Sequence, residues 1–217
     1  ACPAGSYKPV NGSGSCILCE AGQYLNETGG SLCFVCPANT DSLEGSAAIE
    51  DCICDTGYEG PDGGTCAACS LGKYKSVNGS EACSDCPENT YSSLVGSAAI
   101  TDCICNIGFE GSDGAACSAC DVGTYKGVNG SGTCAECEAG RYLNVTAGSV
   151  CLVCPSNTNS RVGSDEITDC ICNIGFEGSD GAACTVCPSG AFKPFNGSGV
   201  CSLCEAGQYL NETSCLP

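Results

Sequence analysis

Cysteine is the residue whose number and spacing carry the chemistry of this chain, with 26 among 217 residues. A thiol at that density holds a metal, shuttles electrons or closes a disulfide, and each task needs different surroundings. Cys-x-x-Cys pairs with 14-residue gaps have zinc-ribbon spacing, but zinc thiolates must stay reduced. A redox thiolate needs a helix start or a cation beside it, and Cys16-Ile-Leu-Cys19 and Cys66-Ala-Ala-Cys69 offer neither. Asn-x-Ser/Thr glycan acceptors mark an oxidising compartment, so disulfides are expected, with no metal and no cofactor. Catalysis lacks its parts: the chain has no His for a triad, its seven basic residues are dispersed, and no Gly-x-x-x-x-Gly-Lys is present. Glu110 and Asp113 recur as Glu177 and Asp180, as a turn-and-solubility device would. No catalytic residue is assigned and no enzyme is expected.

The gaps between cysteines take few values and define three loop types. Type A reads Cys-x-x-Gly-x-Tyr and runs from Cys2 to Cys16, Cys19 to Cys33, Cys69 to Cys83, Cys120 to Cys134, Cys137 to Cys151, Cys187 to Cys201 (Phe192 in place of Tyr) and, shortened, Cys204 to Cys215. Type B has Asn-Thr near its start and Gly-Ser near its end: Cys36 to Cys52, Cys86 to Cys103 and Cys154 to Cys170. Type C reads Cys-x-x-Gly-Phe/Tyr-Glu-Gly: Cys54 to Cys66, Cys105 to Cys117 and Cys172 to Cys184. The order gives repeat units 2–66 (A, A, B, C), 69–117 (A, B, C) and 120–184 (A, A, B, C), then a partial unit 187–217 (A, A). Residues 105–117 recur letter for letter at 172–184, and 19–28 at 204–213. Such near-identity suits an array of equivalent units better than a specific pocket.

Cysteine count does not fix connectivity. A Cys52–Cys54 bond closes too small a ring, and bonds within Cys-x-x-Cys are strained, so partners lie across the loops. Interlocked pairing uses cysteines in fours, yet the middle unit has six and the total of 26 is not a multiple of four. Pairing the two ends of each loop survives the loss of one A loop and is the favoured scheme. Each such bond closes a loop of about 15 residues, worth roughly 3 kcal/mol in the chain-entropy account.

The sequons fall at Asn11, Asn26, Asn78, Asn129, Asn144, Asn196 and Asn211, one in each A loop and none in B or C loops. Two offsets occur: nine residues past the opening cysteine in the Asn-Gly-Ser loops, seven past it at Asn26, Asn144 and Asn211. Copying of one accidental site does not explain two offsets, so N-linked glycans are expected at these seven positions.

Composition agrees with staples in place of a core. Leu, Ile, Val and Phe supply 37 of 217 residues, about 17% against the roughly 20% at which an ordinary core becomes doubtful. A net charge of −18 repels phosphate backbones and anionic lipid, which excludes nucleic-acid and membrane contact by these residues. No apolar stretch approaches the roughly 20 residues of a membrane helix. The chain opens at Ala1 without a leader and reads as a processed product or fragment.

Gly and Pro punctuate the chain too often for a ten-residue helix. The expected fold class is small disulfide-rich repeats, an elongated rod of short β-strands and turns with no large core and little or no helix. Ladders are expected around Gln23-Tyr24-Leu25, Tyr74-Lys75 and Tyr142-Leu143, joined at Asn11-Gly12, Asn78-Gly79 and Asn129-Gly130. One aromatic per loop, such as Tyr7, Tyr125 and Tyr142, is expected to cap its own disulfide and pack on the next loop.

The Cys-x-x-Gly-x-Tyr, Asn-Gly-Ser, Cys-x-x-Cys pattern resembles the ephrin-receptor-like cysteine-rich repeat, related in style to the first loop of tumour-necrosis-factor-receptor repeats. Type C behind Cys-x-Cys is similar to the last loop of epidermal-growth-factor-like modules, whose equivalent cysteines pair, as Cys54 with Cys66 would here. The resemblance covers essentially the whole chain and implies an extracellular or cell-surface, secreted repeat region. The calcium-binding variant of the growth-factor module needs an acidic cluster ahead of its first cysteine, of which Asp165, Glu166 and Asp169 are a faint version, so calcium is unsupported.

The reading is a structural extracellular glycoprotein, a stiff rod that builds a filament, surface coat or cell appendage. The alternative is the stalk or ligand-binding ectodomain of a receptor or adhesion protein. Expected partners are N-linked glycans and copies of the chain itself, end to end or laterally: placing one copy after another leaves only Leu216-Pro217-Ala1 between Cys215 and Cys2, close to the internal spacer. Peptide mapping under non-reducing conditions is expected to find all 26 cysteines oxidised and joined loop end to loop end. A Cys16–Cys33 or Cys33–Cys52 linkage would overturn that pairing.

Overall fold

The computed structural model describes residues 1–10, 13–211 and 214–216. The chain divides into two compact units, one of Ala1–Cys105 with Ser112–Ala116, the other of Asn106–Gly111 with Cys117–Pro217. Twelve disulfides join loop ends, from Cys2–Cys16 to Cys204–Cys215, with Cα atoms 5.5 to 5.8 Å apart. Cys105 and Cys117 are disulfide-bonded as well, and no cysteine is free.

Each loop builds one small ladder. In the A loops before the last, the two residues after Cys-x-x-Gly pair antiparallel with the residues that follow the closing cysteine: Ser6–Tyr7 with Ile17–Leu18, Gln23–Tyr24 with Phe34–Val35, Lys73–Tyr74 with Ser84–Asp85, Arg141–Tyr142 with Leu152–Val153. The x-x of Cys-x-x-Cys is thus itself a strand, long enough for two ladder positions and no more. Type C loops do the same, Tyr58–Glu59 pairing with Ala67–Ala68. Every sheet among the described residues has two strands.

The ladders end one residue earlier than the sequence suggests. Leu25, Lys75 and Leu143 turn their N–H groups to the following loop, donating to Ser46, Ser97 and Ser164 carbonyls at 3.1, 3.0 and 3.1 Å. Because each strand's partner is the linker, Asn78-Gly79 and Asn129-Gly130 sit inside a long connection instead of closing a two-residue hairpin. Asn11-Gly12 lies outside the described residues.

Loops join through backbone groups. The glycine three places after the opening cysteine donates its N–H to the carbonyl six places into the next loop: Gly5 to Leu25, Gly22 to Ser42, Gly57 to Lys75, Gly72 to Ser92, Gly108 to Lys126, Gly123 to Leu143, Gly140 to Ser160 and Gly175 to Lys193, all at 2.8 to 3.1 Å. Its own carbonyl accepts from the next loop's opening cysteine, as Gly5 does from Cys19 at 2.9 Å and Gly57 from Cys69 at 2.8 Å. Gly57 holds φ near 81°, and a Cβ there would collide with the Gly96 carbonyl. In B loops the same position is Asn39, Asn89 or Asn157, at φ of 60°, 60° and 62°, since asparagine is the side-chain-bearing residue that tolerates the left-handed region best. Asn39 Nδ2 donates to the Cys66 carbonyl at 2.9 Å and Asn157 Nδ2 to that of Cys184 at 2.7 Å, tying each B loop to the following C loop.

Apolar burial is local. Leu25 packs with Cys19 and Cys33, and Leu143 with Cys137 and Cys151. Tyr7 and Tyr125 cover these clusters, and Tyr142 packs on Cys154 and Cys170. These three rings thus pack on the next loop, as the sequence reading expected, and the part they meet is its disulfide: the tyrosine comes just after the left-handed glycine, where the chain faces its successor. Among the described residues helix is limited to short 3-10 turns at Ile49–Asp51, Ile100–Asp102 and Ile167–Asp169. Their aspartates are occupied structurally, Asp51 Oδ2 accepting from the Ala47 and Ala48 amides and Asp169 Oδ2 from those of Asp165 and Glu166.

Replacing Gly57 by Ala separates the two demands on this glycine when compared with Gly72→Ala, which has φ near 77° but nothing within 4 Å of the new Cβ. Gly72→Ala is expected to cost about 1 kcal/mol from backbone conformation alone, and Gly57→Ala about 1–3 kcal/mol more from the collision. Denaturant titration of the oxidised protein measures both.

Candidate functional site

The side chains that do specific work gather where a C loop meets the next A loop. Lys75, Lys126 and Lys193, six residues into their A loops, are only 3%, 6% and 7% exposed, a rare situation for lysine. Each ammonium is held by main-chain carbonyls. Lys75 donates to the Tyr58 carbonyl of the preceding C loop at 2.8 Å and to Gly79 of its own loop; Lys126 does so to Phe109 (2.9 Å) and Gly130, and Lys193 to Phe176 (3.0 Å) and Gly197. From the other side Glu59, Glu110 and Glu177 accept the N–H of the A loop's closing cysteine, Cys83, Cys134 and Cys201, at 2.7, 2.7 and 2.8 Å. The junction is a reciprocal clamp in which each loop lends one charged side chain to the other's backbone.

Glu110 and Glu177 are therefore joints, whereas the sequence reading took them as solubility residues. Asp113 and Asp180 do hold turns, accepting from the Cys105 and Cys172 amides at 3.4 and 3.2 Å. The lysines were overlooked as dispersed charge. A signal existed: loops with Asn-Gly-Ser carry Lys at the sixth position, at Lys8, Lys75, Lys126 and Lys193, while Leu25, Leu143 and Leu210 hold that place where the sequon starts two residues earlier. Lysine and sequon offset vary together, and at Lys75, Lys126 and Lys193 the preceding loop is a C loop, whereas an A loop precedes Leu25 and Leu143.

Asn26, Asn78, Asn129, Asn144 and Asn196 are exposed. Asn129 Oδ1 accepts from the Ile107 amide at 2.9 Å, and Asn196 Oδ1 from that of Ile174 at 3.0 Å, so each amide is pinned to the C loop through its oxygen. Asn211 ends the strand Tyr209–Asn211 opposite Ser214, and Asn11 lies outside the described residues. In the B loops Thr40, Thr90 and Thr158 hydroxyls donate to the Pro37, Pro87 and Pro155 carbonyls at 2.7, 2.6 and 2.6 Å, which accounts for the Asn-Thr signature as a turn. Among the described residues no group of three metal-ligating side chains occurs, and no helix is long and apolar enough to cross a membrane.

Residues 57–103 and 108–150 match a family model described as tyrosine-protein kinase ephrin type A/B receptor-like. Both stretches contain an A loop with its clamp, and the same cysteine ruler runs through the rest of the chain. No curated protein matches the chain. Repeats of the matched kind are non-catalytic modules of extracellular or cell-surface type.

Lys126→Met is expected to lower stability by about 1–3 kcal/mol, since the half-buried Phe109 and Gly130 lose the donor to their carbonyls. Lys73, which pairs with the exposed Asp85 on a ladder surface, serves as control, and Lys73→Met is expected to cost about 0–1 kcal/mol. Hydrogen exchange at the Cys134 amide should quicken in the first variant and stay unchanged in the second.

Proposed function

We propose that this ephrin-receptor-like cysteine-rich chain is a structural extracellular glycoprotein, a stiff disulfide-stapled array that joins copies of itself, end to end or laterally, into a filament, surface coat or cell appendage. The observation that carries this reading is the recurrence of one backbone hydrogen bond, from the glycine after the opening cysteine to the sixth residue of the next loop, at eight junctions. The main-chain part of each interface is the same whichever loop comes next, and side chains such as Lys126 or Leu143 only add to it. Extension by further loops then needs no specialised surface, which is the economy of a repeat protein whose stability sums over neighbours.

The seven sequon asparagines are the proposed glycan sites, and the exposure of Asn26, Asn78, Asn129, Asn144 and Asn196 supports it. Glycopeptide mass spectrometry is expected to find sugar at these and at Asn11 and Asn211, and none at Asn39, Asn89 and Asn157, which lack Ser or Thr two places on. The family match favours a second reading, the stalk or ligand-binding ectodomain of a receptor. Small-angle scattering with electron microscopy at rising concentration separates the two. Lengthening particles are expected for the filament, and a monomer at every concentration would remove that role in favour of the stalk.

A further inference from the structure

Two grooves at equivalent places in the repeats are lined at one edge by a sequon asparagine. The first, of about 500 Å³, is bordered by Asp41, Ser42, Ser46, Asp51 and Ile53 around the B loop and by Asn78 from the A loop two loops further on. The second, of about 610 Å³, is bordered by Asn159, Ser160, Ser164, Asp169, Ile171 and Asn196. Residue for residue these occupy the same positions relative to their loops' opening cysteines. Stacking of nearest neighbours does not anticipate a feature that spans loops two apart.

We propose that the first sugars of the N-linked glycans on Asn78 and Asn196 dock within these grooves, so that each glycan lies along the protein instead of projecting from it. This rests on the reading that the two asparagines are glycosylated. The chemistry common to both grooves selects the ligand. The first groove is acidic, with Glu44 and Glu50 beside Asp41 and Asp51, but Val162, Thr168 and Asn159 replace three of these in the second. A cation would fit one groove and not the other. Both keep two serine hydroxyls, one aspartate and a half-buried isoleucine side chain, Ile53 or Ile171. The serine hydroxyls already give their hydrogens to main-chain carbonyls, Ser42 to Gln23, Ser46 to Leu43, Ser160 to Arg141 and Ser164 to Arg161. What the grooves hold in common for a ligand is therefore acceptor oxygen beside a half-buried isoleucine, which matches a neutral pyranose with its apolar C–H face and rim of hydroxyl donors.

Attachment supplies the rest. A sugar bonded to Nδ2 at the rim meets the groove at the high effective concentration of an intramolecular partner, so weak contacts suffice. At Asn196 the amide plane is fixed, since Oδ1 takes the Ile174 N–H at 3.0 Å, and Nδ2 is the atom left to carry the sugar. Asn26 and Asn144 line neither groove, which makes them internal references.

The test uses the full glycosylated, oxidised chain secreted from cells. Site-resolved release by a peptide N-glycosidase under native conditions is followed by mass spectrometry. If a docked sugar is out of reach for nine-tenths of the time, release at Asn78 and Asn196 is expected to be about tenfold slower than at Asn26 and Asn144. Ile171→Thr should quicken release at Asn196 alone and leave Asn78 slow. A nuclear Overhauser contact between the sugar's acetamido methyl and the Ile53 or Ile171 side chain is expected in the unaltered protein. Occupied sites that release at equal rates and show no such contact would overturn docking and leave glycosylation standing. Bare asparagines at 78 and 196 would remove both.

Discussion

A left-handed residue three places after each opening cysteine sets what the remainder of each loop can do. With φ positive there, the chain reverses direction beside its disulfide; in A and C loops the glycine offers one N–H to the following loop and takes one back from the next opening cysteine, as Gly5 and Gly57 do. Gly57 shows how tight the arrangement is, with no space for a methyl group against the Gly96 carbonyl. The ladder, the tyrosine on the next disulfide and the register of the next loop all follow from that reversal. Where asparagine takes the place, as at Asn39 and Asn157, its amide adds a bond to the closing cysteine of the next loop.

Polar main-chain groups at the joints between loops need partners, and the clamp between C and A loops supplies them locally. Lys126 is nearly buried, and its ammonium donates to the carbonyls of Phe109 and Gly130. Glu110 in return satisfies the Cys134 amide. Hydrogen bonds to charged groups exceed neutral ones in strength, which suits joints with little apolar area to share. Junctions between A loops use Leu25 or Leu143 at the same position and rely on a small apolar cluster around a disulfide.

The loop types, their order and the shortage of core were legible because cysteine spacing is a pattern of side chains. The junctions were less so, since their acceptors are carbonyls, which any residue supplies. Leu25 and Lys75 were placed in ladders because both extend an alternating stretch, yet their amides belong to the next loop. Asn78-Gly79 looked like a hairpin turn because that dipeptide usually is one; here the strand partner Ser84–Asp85 lies beyond it. Lysine at the sixth position was visible, but its meaning needed the Tyr58 carbonyl of the preceding loop, a main-chain group with no sequence mark.

Loop-end disulfides also define a path for mechanical load. A pull on the chain passes from Cys2 across a sulfur bridge to Cys16, a Cα distance of 5.6 Å, then along Ile17–Leu18 to Cys19 and the next bridge. The loop contents, including Asn78 and Asn129 with whatever they carry, hang outside that path and bear no tension. Only the linkers can straighten, at about 3.3–3.6 Å per residue, so the oxidised chain is nearly inextensible while its loops remain slack. Reduction of one bridge would put its loop into the load path and lengthen the chain in a discrete step, making tensile length a readout of redox state.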